Sequence, residues 1–224
     1  MRTNIQRTLL MVVLAGLLAL PANADIGVKF FGTATGGALS PEIAQAVADS
    51  GVDVTGFGCF ELPLIDLQTG HQRGVGVDCL NVFNDTGDSN GAGLEIEAKT
   101  FFFLPQGLIV NHGCTSVRPM FAGVGDAGAT HITGSIPPGE FGGTPGSPQP
   151  QICQDTGGIV LATRGFANHT GEVRLSGAVN LSNAGNGEIT FSCVFLVDLE
   201  PDRRPNGGGG EIEPGRTRSR TENH

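Results

Sequence analysis

Apolar residues recur at every second position through most of the middle and end of the chain, and the runs are broken by clusters of Gly and Asn. "GVGVDCLNVF" (74–83), "LEIEAKTFFFL" (94–104), "GLIVNHGCTSV" (107–117) and "ATHITGSI" (129–136) each have this period and predict strands. One segment has a helical signature: "SPEIAQAVADSG" (40–51), with Ser40 as N-cap, Pro41 at the first helical position and Gly51 as the stop. Many short strands at even spacing predict an all-β sandwich or barrel.

The clearest hairpin joins "EVRLSGAVNLS" to "EITFSCVFLVDL". Val173, Leu175, Val179 and Leu181 share one face, and Ile189, Phe191, Cys193, Phe195 and Val197 share the matching face of the partner. Together they predict one apolar wall. Val194 and Leu196 lie on the other side, which predicts cover there from the helix or a second subunit. The stretch before this hairpin, "ATRGFANHTG" (162–171), reads as the corner that starts the strand, with Phe166 as anchor and Gly171 as bend.

A second hairpin turns at "LPQG". Proline holds φ near −65°, which the tight two-residue turns with positive φ at their first position cannot accept. A three-residue loop of Pro105, Gln106 and Gly107 is therefore expected. It sets Leu104 against Leu108, Phe102 against Val110, Thr100 against His112, Ala98 against Cys114 and Leu94 against Arg118. Because Glu95, Glu97 and Lys99 occupy the opposite face, the apolar side is the interior, and those two glutamates belong to a solvated exterior. On this register His112, Cys114 and Arg118 point inward, toward the end away from the Pro105 turn.

The chain ends change the picture of where the protein works. Arg2 and Arg7, the apolar run Leu9–Leu20 and the small residues Ala22 and Ala24 read as an export signal over residues 1–24, cleaved near Ala24. The apolar run falls short of the about 20 residues that a membrane span needs. A secreted or periplasmic location is expected, with no membrane span in the mature chain. Residues 201–224, with four consecutive glycines and few aliphatic side chains, read as a disordered tail. Residues 25–200 remain as one domain.

That domain carries 18 Asp and Glu against 6 Lys and Arg. A nucleic-acid binder needs cations to displace counterions from phosphates, so this balance excludes one. All five cysteines (Cys59, Cys79, Cys114, Cys153 and Cys193) fall in the domain. In an oxidising compartment one or two disulfides with one thiol left over are expected, and the spacing favours no particular pairing.

Motifs for common chemistry are weak. "HGC" places His112 and Cys114 on one face with His131 as a distant third ligand, but no spacing completes a metal site. "TGDSNGAGLEIE" (86–97) lacks the opening Asp of a calcium loop, and "GVGDAG" (123–128) opens no helix, so neither a calcium nor a dinucleotide site is expected. Glycosylation sequons begin at Asn84, Asn168 and Asn180. The Pro- and Gly-rich stretch 137–157 reads as a lid or insertion.

The candidate pocket is the inward cluster of His112, Arg118, Thr100, Phe102 and Cys114. A cation in an apolar cavity would orient a carboxylate or phenolate, because a buried charge must be paired. The plain alternative is an Arg reaching solvent and a His satisfied by Thr100 or by backbone.

Ala162, Thr163, Phe166 and Gly171 match a small-Thr-Gly-x-Phe-x-x-Ala-x-Gly turn that enters a late strand in the allene oxide cyclase and dirigent family, which this chain resembles over about 158–200. Arg164 stands where the family has Gly, and His169 where it has Ala. The resemblance implies an all-β, calycin-like antiparallel barrel of about eight strands with an apolar cavity, often a trimer. With the short N-terminal helix and the disordered tail, that is the expected architecture. The expected role is binding or steering a small apolar or aromatic molecule without a cofactor. A cofactor-free cyclase or isomerase, and a structural protein with a filled barrel, are the alternatives; the last predicts an interior packed by Phe102, Phe191 and Phe195.

Overall fold

The computed structural model describes residues 24–85, 94–119, 129–133, 158–181 and 183–202. Residues 1–23 of the expected export signal, the bulk of the tail, the stretch 137–157, "GVGDAG" and most of the calcium-loop-like segment lie outside the described residues. Among those described, no helix is long and apolar enough to cross a membrane.

The described residues are mostly β. In chain order they form β1 (Ala24–Thr35), α1 (Pro41–Asp49), β2 (Gly58–Asp66), β3 (Gln72–Asp85), β4 (Leu94–Leu104), β5 (Gly107–Pro119), β6 (Ala129–Thr133), β7 (Gly158–Ala162), β8 (His169–Asn180) and β9 (Glu188–Pro201). All pairings are antiparallel, and one sheet runs β1, β2, β3, β4, β5 and then, through β6 and β7, to β8 and β9. The strands β6 and β7 share one position between β5 and β8: β6 pairs with the end of β5, and β7 with its beginning. β9 then pairs with β1 along the whole of β1, from Ala24 opposite Leu199 to Thr35 opposite Glu188, and this closes the ring.

Two apolar clusters follow from the alternation of side chains. Inside the ring, Val28 and Phe30 of β1 and Leu62 and Leu64 of β2 meet Phe102 of β4, Ile109 of β5 and Phe195 and Val197 of β9. Outside it, α1 presents Val47 to Cys59, Val77, Cys79, Phe101 and Val110, and Ile43, Val52, Val54 and Phe57 pack around them. The helix and the turn after it therefore cover the outer surface of β2 to β5.

The helix has the predicted boundaries: Ser40 is extended at the N-cap, Pro41 opens the first turn, and Gly51 follows at φ +73°. Its start is held by Glu61 of β2, whose carboxylate accepts from Ser40 N at 2.6 Å and from Ser40 Oγ at 3.1 Å. Replacing Glu61 by Ala removes both acceptors. It is expected to destabilise the protein by about 1 kcal/mol in urea unfolding.

The C-terminal hairpin brings the two predicted faces together, with Val173 opposite Val197, Leu175 opposite Phe195 and Val179 opposite Phe191. The predicted apolar wall lies inside the ring. The expectation of cover over Val194 and Leu196 is corrected for the helix, which sits on β2 to β5; Leu196 is half exposed. β1 and β2 were not among the predicted strands.

The Pro105 hairpin requires a correction with larger consequences. Leu104 pairs with Gly107, not Leu108, and the shift continues along β5: Phe102 faces Ile109, Thr100 faces Asn111, Lys99 faces His112, Glu97 faces Cys114 and Leu94 faces Val117. Gly107, at φ +156°, serves as the first residue of the strand rather than the last of the turn. Tertiary contacts fix this choice. Thr163 N donates to Leu108 O, Leu108 N donates to Thr163 Oγ1, and Gly165 N donates to Gln106 O, so the 162–166 corner clamps the turn. A Cβ on Gly107 would lie 2.2 Å from Thr163 O. A one-residue shift moves every side chain of a strand to the other face.

Candidate functional site

With β5 in its actual register, Ile109, Asn111 and Val117 are buried and Thr115 lines the ring's interior, while Val110 and Leu108 face the helix-covered exterior. His112 is therefore not a cavity residue. Its Nε2 lies 2.8 Å from Glu97 Oε1 on the outer surface, and Asn81 Nδ2 donates to the other oxygen of Glu97 at 3.4 Å. Cys114 shares the Glu97 side and is disulfide-bonded, with its partner outside the described residues. Arg118 pairs with His131 along the backbone, and its side chain lies outside the described residues. Glu95 and Glu97 do face outward, but they are buried rather than solvated.

Of the predicted pocket, the structure places Thr100 and Phe102 inward. Phe102 belongs to a floor that fills the half of the ring nearest the Pro105 turn. The Phe195 ring lies 4.6 Å from Phe30 and 5.4 Å from Phe102, centroid to centroid, with an edge-on approach to the latter. Phe166, from the corner, is buried in the same cluster.

Above this floor the interior carries a row of polar side chains at one level. Asp78 of β3 is opposite Thr100 of β4, and Thr100 is opposite Asn111 of β5. Thr100 Oγ1 donates to Asp78 Oδ1 at 2.8 Å. Asn111 Oδ1 is buried and has no hydrogen-bond partner among the described residues. Burial raises the Asp78 carboxyl to about 6, and the Thr100 hydroxyl offsets only part of that rise.

The remaining half of the ring is open. A cavity of about 200 Å³ lies there. β2 and β3 line it with Phe60, Asp78 and Leu80, β4 and β5 with Ile96, Ala98, Thr115 and Val117, and β8 and β9 with Leu175, Val179, Ile189 and Phe191. Among the described residues its polar side chains are Asp78 and Thr115. A smaller space of about 30 Å³ adjoins it, sharing Ala98, Thr115 and Leu175 and reaching Thr100 and Asn111. The ring is thus filled at one end and hollow at the other. Phe191 joins Phe60 at 5.5 Å in the wall of the hollow, whereas Phe102 and Phe195 fill the base.

A larger groove of about 550 Å³ runs between the start of α1 and β2–β3, but it lies open on the surface and its carboxylate, Glu61, is engaged by Ser40. The enclosed cavity excludes more water from a ligand and is the better site.

Cys193 is the free thiol of the described residues and points into the ring. Burial, with the negative charge of Asp78, pushes it up to about 12, and its Sγ donates to Ala178 O at 3.7 Å. It is a neutral thiol at physiological pH, unsuited to nucleophilic work. Cys59 and Cys79 form a disulfide between directly opposed positions of β2 and β3, beneath the helix. Among the described residues no three His, Cys, Asp or Glu side chains form a metal-binding group.

Asp78 and Asn111 were not among the expected site residues. Asp78 had a signal: it alternates in phase with Gly76, Leu80 and Val82, a carboxylate on a face otherwise free of charge. The neighbouring Val75 and Val77 hid it, because both faces of β3 are apolar. Comparison with known proteins returned no matching family model, no matching curated protein and no matching solved structure.

Proposed function

We propose that this chain is a secreted barrel of allene-oxide-cyclase-like type that binds or steers a compact apolar or aromatic molecule in the open half of its ring. The observation that carries this reading is the enclosed cavity of about 200 Å³, whose described walls are apolar except for Asp78 and Thr115. An empty apolar cavity of roughly 150 Å³ suffices for benzene. The space therefore matches one six-membered ring with a short substituent. The single polar level at its base gives such a molecule one preferred orientation. Export is supported by the Cys59–Cys79 disulfide, which persists in oxidising compartments.

The test is calorimetric titration of the folded protein with benzyl alcohol. Saturable binding with a dissociation constant on the order of 0.1–1 mM is expected for about eight ligand atoms in such a site. Ala98→Leu, which extends a side chain into the space, is expected to abolish that binding while leaving the unfolding midpoint unchanged or higher. Absence of binding to the folded wild type, or equal binding by Ala98→Leu, would remove this reading.

A further inference from the structure

Resting on that reading, we infer that the cavity selects a protonated amine carried on a compact apolar or aromatic body, with the ammonium seated at the Asp78–Thr100–Asn111 level. The chemistry of the lining points this way. Among the described residues Asp78 has no cationic partner, and no Lys, Arg or His lines either space. What faces Asp78 is Phe60 from β2, Thr100 from β4 and the Cys193 thiol from β9, with Asn111 one strand further. Thr100 already spends its hydroxyl proton on Asp78.

The level is therefore rich in acceptors. A carboxylate and the unpartnered amide oxygen of Asn111 look for donors, and Asn111 Oδ1 is an orphan whose burial is costly until something donates to it. An ammonium group brings three N–H donors and the countercharge in one small headgroup. A buried carboxylate is stabilised most by a cation within contact distance, because the surrounding walls screen poorly. An anionic ligand meets repulsion from the same group. This reverses the charge preference that an inward arginine predicted.

The pH dependence follows from the groups named. The carboxyl of the free protein loses its proton near pH 6. Below that pH a bound ammonium must displace a proton, so its affinity falls, by about fivefold over the first pH unit and approaching tenfold per unit further down. Cys193 remains protonated throughout this range and adds no step.

The experiment compares benzylamine, benzyl alcohol and benzoate by calorimetry at pH 7.5, on wild type, Asp78→Asn and Asn111→Ala. In the wild type benzylamine is expected to bind at least about tenfold tighter than benzyl alcohol, with benzoate weakest. In Asp78→Asn the ratio of benzylamine to benzyl alcohol affinity is expected to fall to one or below, and in Asn111→Ala to fall several-fold. Wild-type benzylamine affinity is expected to drop about fivefold between pH 6 and pH 5 while that of benzyl alcohol stays level. Benzyl alcohol binding without a preference for benzylamine overturns the inference and leaves the binding reading standing. So does a preference that survives in Asp78→Asn, or a flat benzylamine profile between pH 6 and pH 5. If none of the three compounds binds the folded wild type, the binding reading itself fails.

Discussion

Gly171→Ala is expected to leave the protein unable to reach its native state, with a loss of more than about 4 kcal/mol. Gly171 lies opposite Leu199 where β8 leaves the corner, and its φ is +151°, a conformation that side chains rarely adopt. A Cβ there would stand 1.8 Å from the carbonyl oxygen of Asp198, a backbone atom of β9. No rotamer relieves a clash with backbone, so the two strands must part along the seam that joins β8 to β9. The same atom would also press on Ile159 of β7, at 3.3 Å. Gly187→Ala is the control. It also has a positive φ, +78°, but nothing lies within 4 Å of its Cβ position, so about 1 kcal/mol of strain is expected. Circular dichroism and urea unfolding of the two variants give the comparison; similar midpoints would show that the β8–β9 seam tolerates the added atom.

Asp78→Asn is expected to stabilise the protein, and to do so only where Asp78 would be charged. The carboxyl titrates near 3.8 when exposed and near 6 when buried in the ring. The folded state thus holds this proton more tightly than the unfolded state. The resulting stability is fully present below about pH 3.8 and is lost as pH rises through about 6. The difference corresponds to roughly 3 kcal/mol. Asparagine removes the charge and keeps an oxygen to accept from Thr100. Urea unfolding is expected to show a gain of up to about 3 kcal/mol at pH 7.5 and almost none at pH 4. An equal gain at both pH values would mean that burial of the charge does not set the cost.

The parts of this fold that were legible in the sequence are those whose two faces differ in polarity. β8 alternates, and β9 does so apart from Val194 and Leu196, so the shared apolar face from Val173 through Val197 could be read without tertiary information. The helix declares itself by Ser40, Pro41 and Gly51. Phe166 and Gly171 were readable as anchor and bend because a lone aromatic among polar turn residues has few other uses.

β5 was misread because both of its faces are apolar. Ile109 and Val117 serve the interior while Leu108 and Val110 serve the helix, so alternation could not say which set pointed in. The turn had to decide, and the turn is decided by Thr163 and Gly165, more than fifty residues away in sequence. The sequence pointed His112 and Arg118 toward the end opposite Pro105, where the cavity lies, but neither residue was read in its actual register. His112 went to Glu97, and Asn111, its neighbour, took the interior position. Asp78 was obscured in the same way, by a strand that is apolar on both sides.

The closing seam of the ring joins the first described strand to the last, so β1 acquires its second neighbour only when β9 exists. During synthesis the chain must carry β1 with one edge unpaired until β9 has been made. Pairing across so long a separation is intrinsically slow, and an open edge invites other strands in the meantime. A chain that cannot seal itself before β9 is made also stays threadable until then. That delay suits the exported protein proposed above, which would pass a membrane first and fold afterwards.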